Sequence, residues 1–556
     1  MASGRSKSSS LGEMAAVRLW PCARPLECGV IPQQQQRERG GGRFSSQALK
    51  KMLLFAKTKY AKSYPWLSYA VWAHLARSRL HMTDELAWLY FETFDVVSEL
   101  QVEERVKMMD MMAKCASQEE RDRLKKKMSV DAPRFFLFLF LQNAPRHSLK
   151  APLITGDEWP SQEGEKRPQS SEYAHLEFLK SHISSILNLI SETEGEYLTL
   201  KGLSALDFAV QGCRGRSPHQ PLGELATHPD EIPLSGFSQA SGRFSLSQLE
   251  QWVASHLSLS PLGPHAIRSG SRDKICPCFR SDTLGRIATN SSVTPVSGQA
   301  CVLLHKISKQ TLAKEEGGLR GNSVYIDNCR SSRIYLLAPM KSVHVERCSH
   351  CLLVLGPVEV TVTISNCTSL VLVAACRRLH VSSCSLCDLH LLTATRPVVS
   401  PPSRQLTFAP YNTHYPQLEE HLKCCGLPVT FNLWNRPLYT GSVESETEVW
   451  TELDPDLFRP FSVPFQLSGD TLDNPCQLPL KYREALDRRK KRTSEWYGEV
   501  KGAGLSPEQG QQLQTRVQDH FQEWLETTGH GREIRELEIP KTTTSTTART
   551  KRPTSH

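Results

Sequence analysis

The chain has 556 residues, 39% of them hydrophobic, which is enough for two to four domains with a core each. Its net charge of +9, from 67 basic and 58 acidic residues, is not gathered in one basic domain, which argues against a dedicated nucleic-acid binder. Its 17 cysteines follow no apolar leader, so a reducing compartment is expected, and the clearest apolar runs, Phe135 to Leu141 and Leu370 to Cys376, fall far short of the roughly 20 residues a helix needs to cross a bilayer, so no membrane insertion is expected.

Residues 1–45 are rich in Ser, Gly, Arg and Gln, with Gln33–Gln36 and Gly40–Gly42 in succession, and read as a largely disordered segment. Residues 46–260 read as a helical domain with long loops. Large apolar residues recur at spacings of three and four, as in Leu86, Leu89, Tyr90, Phe94 and Val97, and Thr83 followed by Asp84 and Glu85 marks a helix start. Trp66, Trp72, Trp88, Tyr90, Phe91 and Phe94 are assigned to the core of this bundle. Stretches 143–172 and 211–241 read as loops around a helical patch at 173–209. Ser245, with Gln248 three residues later, predicts the cap of a short helix carrying Leu249, Trp252, Val253 and Leu257. Residues 258–298 return to loop composition, including a lone Cys276-Pro277-Cys278.

Between Val324 and Val399 one unit recurs four times: Val324-x-Ile326-x-x-Cys329, Val343-x-Val345-x-x-Cys348, Val362-x-Ile364-x-x-Cys367 and Leu379-x-Val381-x-x-Cys384. The cysteines are 19, 19 and 17 residues apart, and apolar pairs such as Ile334 and Leu336 follow five and seven positions after each. Each unit therefore holds two short strands and a corner, and cannot bury its apolar face alone. Stacking the units predicts a small right-handed parallel β-helix over about 290–436, with rungs roughly 4.8 Å apart. The polar residues just before each Cys (Asp327 and Asn328, Glu346 and Arg347, Ser365 and Asn366, Ser382 and Ser383) are expected to face solvent at the corner.

Cys348-x-x-Cys351 and Cys384-x-x-Cys387 have zinc-knuckle spacing, yet the column that holds Cys351 and Cys387 also holds Ser332 and Leu370. A ligand position would not carry leucine, so these cysteines are assigned to the core as small apolar side chains, with no metal or other cofactor expected.

Beyond the repeat, residues 437–530 form an extension with a basic helix near 480–500 and a second helix opened by Ser506-Pro507-Glu508-Gln509. Leu513, Val517, Phe521, Trp524 and Leu525 share one face of that helix, which is expected to pack on its own domain, and Gly529 stands where a C-terminal cap belongs. The basic run Arg488–Arg492 reads as a solvated helix face diluted by Glu484, Asp487 and Glu495. Residues 531–556 read as a disordered tail. The fold class is thus α+β: a helical N-terminal domain, a central parallel β-helix and C-terminal helices.

The repeat, together with Ala375-Cys376-Arg377-Arg378-Leu379-His380-Val381, Thr395-Arg396-Pro397 and Phe408-Ala409-Pro410-Tyr411-Asn412, resembles the C-CAP/cofactor C-like domain of the tubulin-binding cofactor C family. The helical segment Asp84–Glu92 and the closing Glu523–His530 resemble one branch of that family in which the β-helix is flanked by helices. Catalytic members of the family activate GTPases with an arginine on the β-helix surface; a cation supplied in trans stabilises charge on the transferring phosphoryl group. Matched on the Ala-Cys pair and on Leu379 and Val381, that position here holds His380, which has neither fixed charge nor the five-donor fork of a guanidinium. The resemblance therefore implies a non-catalytic adaptor in the cytoplasm, on the cytoskeleton at the centrosome and spindle pole, with a part in centrosome and Golgi positioning, cell shape and migration. The implied partners are tubulin, a small GTPase or centrosomal proteins, met through Arg377, Arg378, His380 and Arg396. Arg377 and Arg378 alone read as a solvated face or an electrostatic contact to an acidic partner, and the alternative is a GTPase-activating protein using Arg378 as a displaced arginine.

No phosphate-cradling Gly-x-x-x-x-Gly-Lys loop, nucleophile elbow or His-Glu-x-x-His helix is present in the sequence.

Overall fold

The computed structural model describes residues 16–29, 44–98, 118–144, 171–191, 196–265, 301–441 and 449–528, short gaps aside. The Gln33–Gln36 and Gly40–Gly42 runs, Cys276–Cys278, Gly529 and the tail from residue 531 lie outside the described residues. Two compact units are present, Met1–Pro479 and Leu480–His556.

The first unit opens with a departure from expectation. Within the stretch predicted to be disordered, strand β1 (Val17–Pro21) pairs antiparallel with β2 (Val210–Arg214), from Val17↔Arg214 to Pro21↔Val210. Val17, Leu19 and Trp20 are buried, which compensates the ordering of so short a segment. Helices α1 (Ser46–Lys59), α2 (Tyr69–Leu80), α3 (Asp84–Val97), α4 (Gln118–Lys127), α5 (Ala132–Leu141), α6 (Ser171–Ile190) and α7 (Leu246–His256) build the rest of the helical region. Thr83 caps α3 as predicted, its Oγ1 accepting from the Leu86 amide at 3.3 Å. Asp131 caps α5, whose residues Phe135 to Leu141 are all buried, with Phe135 edge-on to Trp72 at 4.8 Å and to Phe94 at 5.3 Å. Two local predictions are corrected. Ser245 is the N-cap residue of α7 but makes no side-chain cap bond, its hydroxyl meeting Ser247 at 3.2 Å instead. Trp66 is not in the core; it is 55% exposed.

The β-helix follows the repeat. Its first wall stacks Cys301–His305, Ser323–Asp327, Met340–Glu346, Val358–Ser365 and the second half of Val371–Ser382, all parallel. Inward side chains form columns, Val302–Val324–Val343–Val362–Leu379 and Leu304–Ile326–Val345–Ile364–Val381–Val399. A second wall stacks Leu312, Ile334, Leu353, Leu372, Leu389 and Phe408 in the same way. The rung at Cys301–Lys314 was invisible to a Cys-based repeat because Ile307 takes the place of the cysteine.

The corners have a shared backbone. Two residues three apart adopt positive φ at each rung: Lys306 and Lys309, Asn328 and Ser331, Arg347 and His350, Asn366 and Ser369, Ser383 and Leu386, all between 47° and 58°. These left-handed residues turn the chain sharply and point the first of the two residues between them, Cys329, Cys348, Cys367 or Cys384, into the core, where each is at most 1% exposed. Asp327 departs from its predicted solvated position: it is 2% exposed, taking Arg347 Nη2 at 2.7 Å and lying 2.9 Å from His305 Nδ1.

The second unit holds α8 (Leu480–Gly502) and α9 (Pro507–Thr528). Ser506 and Gln509 form a reciprocal cap on α9, each amide donating to the other's side chain at 3.0 and 3.3 Å. The apolar face of α9 is exposed rather than packed, Val517, Phe521 and Trp524 being 48%, 50% and 49% exposed. Among the described residues no helix is long and apolar enough to cross a membrane.

Candidate functional site

The four residues singled out on the β-helix lie together, and each already has a partner within the chain. Arg377 and Arg378 stand on Val371–Ser382, where Cys376 and Leu379 point inward and Arg378 pairs in register with Thr361 of the preceding rung. They do not form a solvated face. Helix α3 lies against this wall and presents Glu92, Thr93 and Asp95 from one turn. Arg377 Nη2 donates to Asp95 Oδ2 at 2.6 Å, and Arg378 donates to Glu92 through Nη2 and to Thr93 Oγ1 at 2.8 Å through Nη1. The Thr93 hydroxyl donates to the Leu89 carbonyl at 2.6 Å, which leaves its oxygen oriented to accept. Arg377 and Arg378 are 6% and 2% exposed.

Burial pulls the Arg378 guanidinium below its ordinary value, and the Glu92 carboxylate opposes that. The pairing is incomplete: Arg377 Nε and Nη1 and Arg378 Nε are buried without an acceptor among the described residues. Two charges in so dry an interface must be paired to be tolerated, so the contact with α3 is a condition for this wall to exist as it does.

His380, in register with Thr363 and Val398, is 8% exposed, and its Nε2 lies 3.0 Å from Ser400 Oγ. Arg396 lies at the rim. Its Nε donates to the Arg436 carbonyl at 2.9 Å, its Nη2 to the Pro437 carbonyl at 3.2 Å, and its Nη1 is 3.6 Å from Glu85 of α3. The structure thus sets Glu85, Glu92 and Asp95 opposite the three arginines, a role the sequence did not disclose.

Beside this contact runs a groove of about 1400 Å³, between α2, α3 and α4 on one side and the segments 394–396 and 431–438 on the other. Arg377 and Trp450 contribute to its lining, and Lys125 Nζ sits 4.6 Å from the Trp88 ring centre.

A second cluster ties residues 24–28 to the first wall. Glu27 accepts from the Tyr325 hydroxyl, with His344 Nε2 at 3.8 Å and His175 Nδ1 at 4.0 Å. Tyr325 stacks on His344 at 4.7 Å. Burial raises the Glu27 carboxyl to about 7 and lowers the His344 imidazole to about 4. Among the described residues no three His, Cys, Asp or Glu side chains are placed to hold a metal ion.

A family model described as Tubulin binding cofactor C matches residues 321–438, the part of the chain that carries the repeat and the arginine wall. Over nearly the full length the chain is similar to TBCC domain-containing protein 1. The Mus musculus protein is 34% identical over 553 residues, covering 94% of this chain and 99% of that protein. The Homo sapiens protein is 34% identical over 554 residues (95% and 98%), and the Gallus gallus protein 36% identical over 552 residues (95% and 98%). Among solved structures, Tubulin Binding Cofactor C from Leishmania major aligns with 26% of this chain and 95% of its own, at 16% identity and a TM-score of 0.22.

Proposed function

The chain belongs to the family of TBCC domain-containing protein 1, and from that premise we propose that it is a non-catalytic, cytoskeleton-associated adaptor of the cytoplasm, acting at the centrosome and spindle pole in centrosome and Golgi positioning, cell shape and migration. The observation that carries the non-catalytic part is the capture of Arg378 by Glu92 and Thr93 beside a His380 that is itself bonded to Ser400. An activating arginine must reach into a partner's nucleotide site with its guanidinium free, and a misplacement of about 1 Å forfeits much of its effect. Here the nearest guanidinium is buried and engaged. Tubulin, a small GTPase or centrosomal proteins are the partners this reading supposes, met at the rim around Arg396, since Arg377, Arg378 and His380 are buried and reach a partner only where α3 moves aside.

Tagged protein is expected to concentrate at microtubule-organising centres, and its depletion to displace the centrosome. Diffuse protein and an unmoved centrosome would sink the reading.

One observation favours a second reading, a GTPase-activating protein for tubulin or an Arf-like GTPase. Both arginines leave N–H groups unfulfilled, so a partner that drew α3 away would find under-used donors. Single-turnover GTP hydrolysis with each candidate decides between them: acceleration that Arg378→Ala abolishes supports activation, and no acceleration leaves the adaptor.

A further inference from the structure

The groove between the helical region and the β-helix has an unusual balance of unmet bonding. Among the described residues, four buried polar atoms of its lining side chains have no hydrogen-bond partner: Arg121 Nε, Arg377 Nε, Arg377 Nη1 and Trp450 Nε1. All four are donors. These donors are closed to solvent, so what they add to the groove wall is a positive, acceptor-seeking edge that favours an anionic occupant over a cationic one.

The rim adds charge of the same sense. Lys126, Lys127 and Arg436 line the groove and are exposed, and among the described residues none pairs with a carboxylate. The groove's own acids are largely engaged: Asp84 holds Arg77 at 2.6 Å, Asp95 holds Arg377 and Glu92 holds Arg378. At its mouth Trp66 is 55% exposed, an apolar plate beside the cations.

We propose that this groove is the docking site for an acidic, extended peptide segment of a partner protein, one that carries an aromatic or large apolar residue. Carboxylates of the peptide lie along Lys126, Lys127 and Arg436, and its apolar residue covers Trp66. The volume, about 1400 Å³, exceeds the roughly 300–1,000 Å³ of small-molecule sites. A nucleic-acid strand fits less well, since its unbroken row of phosphates would also run past Glu85 and Asp122. The inference builds on the adaptor reading by giving the partner's chemistry, yet its test is independent of where the protein resides in the cell.

The test uses the full chain and a short fluorescein-labelled poly-Glu peptide bearing one Phe, followed by anisotropy. Saturable binding is expected. It should weaken about tenfold in Lys126→Glu/Lys127→Glu, severalfold in Trp66→Ala, and with added salt. The same peptide with Gln in place of Glu should fail to bind. All three substituted residues are exposed, so the variants fold, and circular dichroism verifies this. Absence of saturable binding, equal binding of the Gln peptide, an unchanged affinity in the double variant, or tighter binding of a single-stranded oligonucleotide of equal charge would each overturn the proposal. Peptide binding by a protein that does not reach the centrosome would remove the adaptor reading and leave the groove standing.

Discussion

Glu92→Ala removes the carboxylate that faces Arg378 and leaves the cation in place. The Arg378 side chain is 3% exposed and Glu92 is 18% exposed. After the substitution Arg378 keeps one neutral acceptor, Thr93 Oγ1 at 2.8 Å, while its Nε already has none. Deleting one partner of a buried ion pair costs about 3–5 kcal/mol, and the partial exposure of Glu92 sets the expectation near the lower end, about 3 kcal/mol. With a urea slope of about 3 kcal/mol/M or more for a unit of this size, the unfolding midpoint of the full chain should fall by up to about 1 M. Arg378→Met in the Glu92→Ala background should recover most of the loss, because an apolar side chain of about the arginine's size leaves no unpaired charge in the interface. The double-mutant cycle should then give a coupling of about 2 kcal/mol or more. A midpoint that stays put in Glu92→Ala, or a coupling under about 0.5 kcal/mol, would mean that α3 does not hold this wall in solution.

Two further outcomes follow from the packing. Glu27 has a folded value of about 7 against an ordinary 4.5, so its ionisation lowers stability as pH rises from about 4.5 through 7, by at most about 3 kcal/mol. His344, lowered to about 4, adds stability as pH rises toward about 6.5 and masks the Glu27 trend in the parent. Glu27→Gln, which can still accept from Tyr325, should therefore match the parent at pH 4.5 and exceed it at pH 8 in urea unfolding; equal stability at both would mean Glu27 is hydrated. Gly356→Ala would set a Cβ 2.5 Å from the Ala338 carbonyl oxygen and 2.7 Å from its amide nitrogen, both backbone atoms of the previous rung. A loss of about 1–3 kcal/mol is expected, read as a lowered melting temperature, and an unchanged one would show that the rungs part freely there.

The β-helix was legible because a side chain repeated at fixed intervals reports a stacked environment, as the Cys329, Cys348, Cys367 and Cys384 column does. Legibility ended where the marker changed, as at Ile307, and where an element was too short to show a period, as with Val17–Pro21. The site was half legible. Position and residue type singled out Arg377, Arg378, His380 and Arg396, but a charged side chain on a strand reads alike whether it meets water or a carboxylate. The answering Asp95 and Glu92 stand 282 and 286 positions away, a separation over which local pattern carries no information. Asp327 was misplaced for the same reason, its partner Arg347 lying one coil further on.

The corner backbone bears on how the coil can change length. Each turn is closed by local geometry, two left-handed residues set three apart, and its sides ask only for apolar residues in column. A coil of this kind is a module: inserting or removing one whole turn would alter the stack by about 4.8 Å and leave every remaining corner intact. What forbids this freedom is external to the coil. The turns that carry Arg377 and Arg378 are tied to α3, and those that carry Tyr325 and His344 are tied to Glu27, so whole turns are tolerated only ahead of Cys301, outside both ties, and turns grafted there offer a direct way to lengthen this protein.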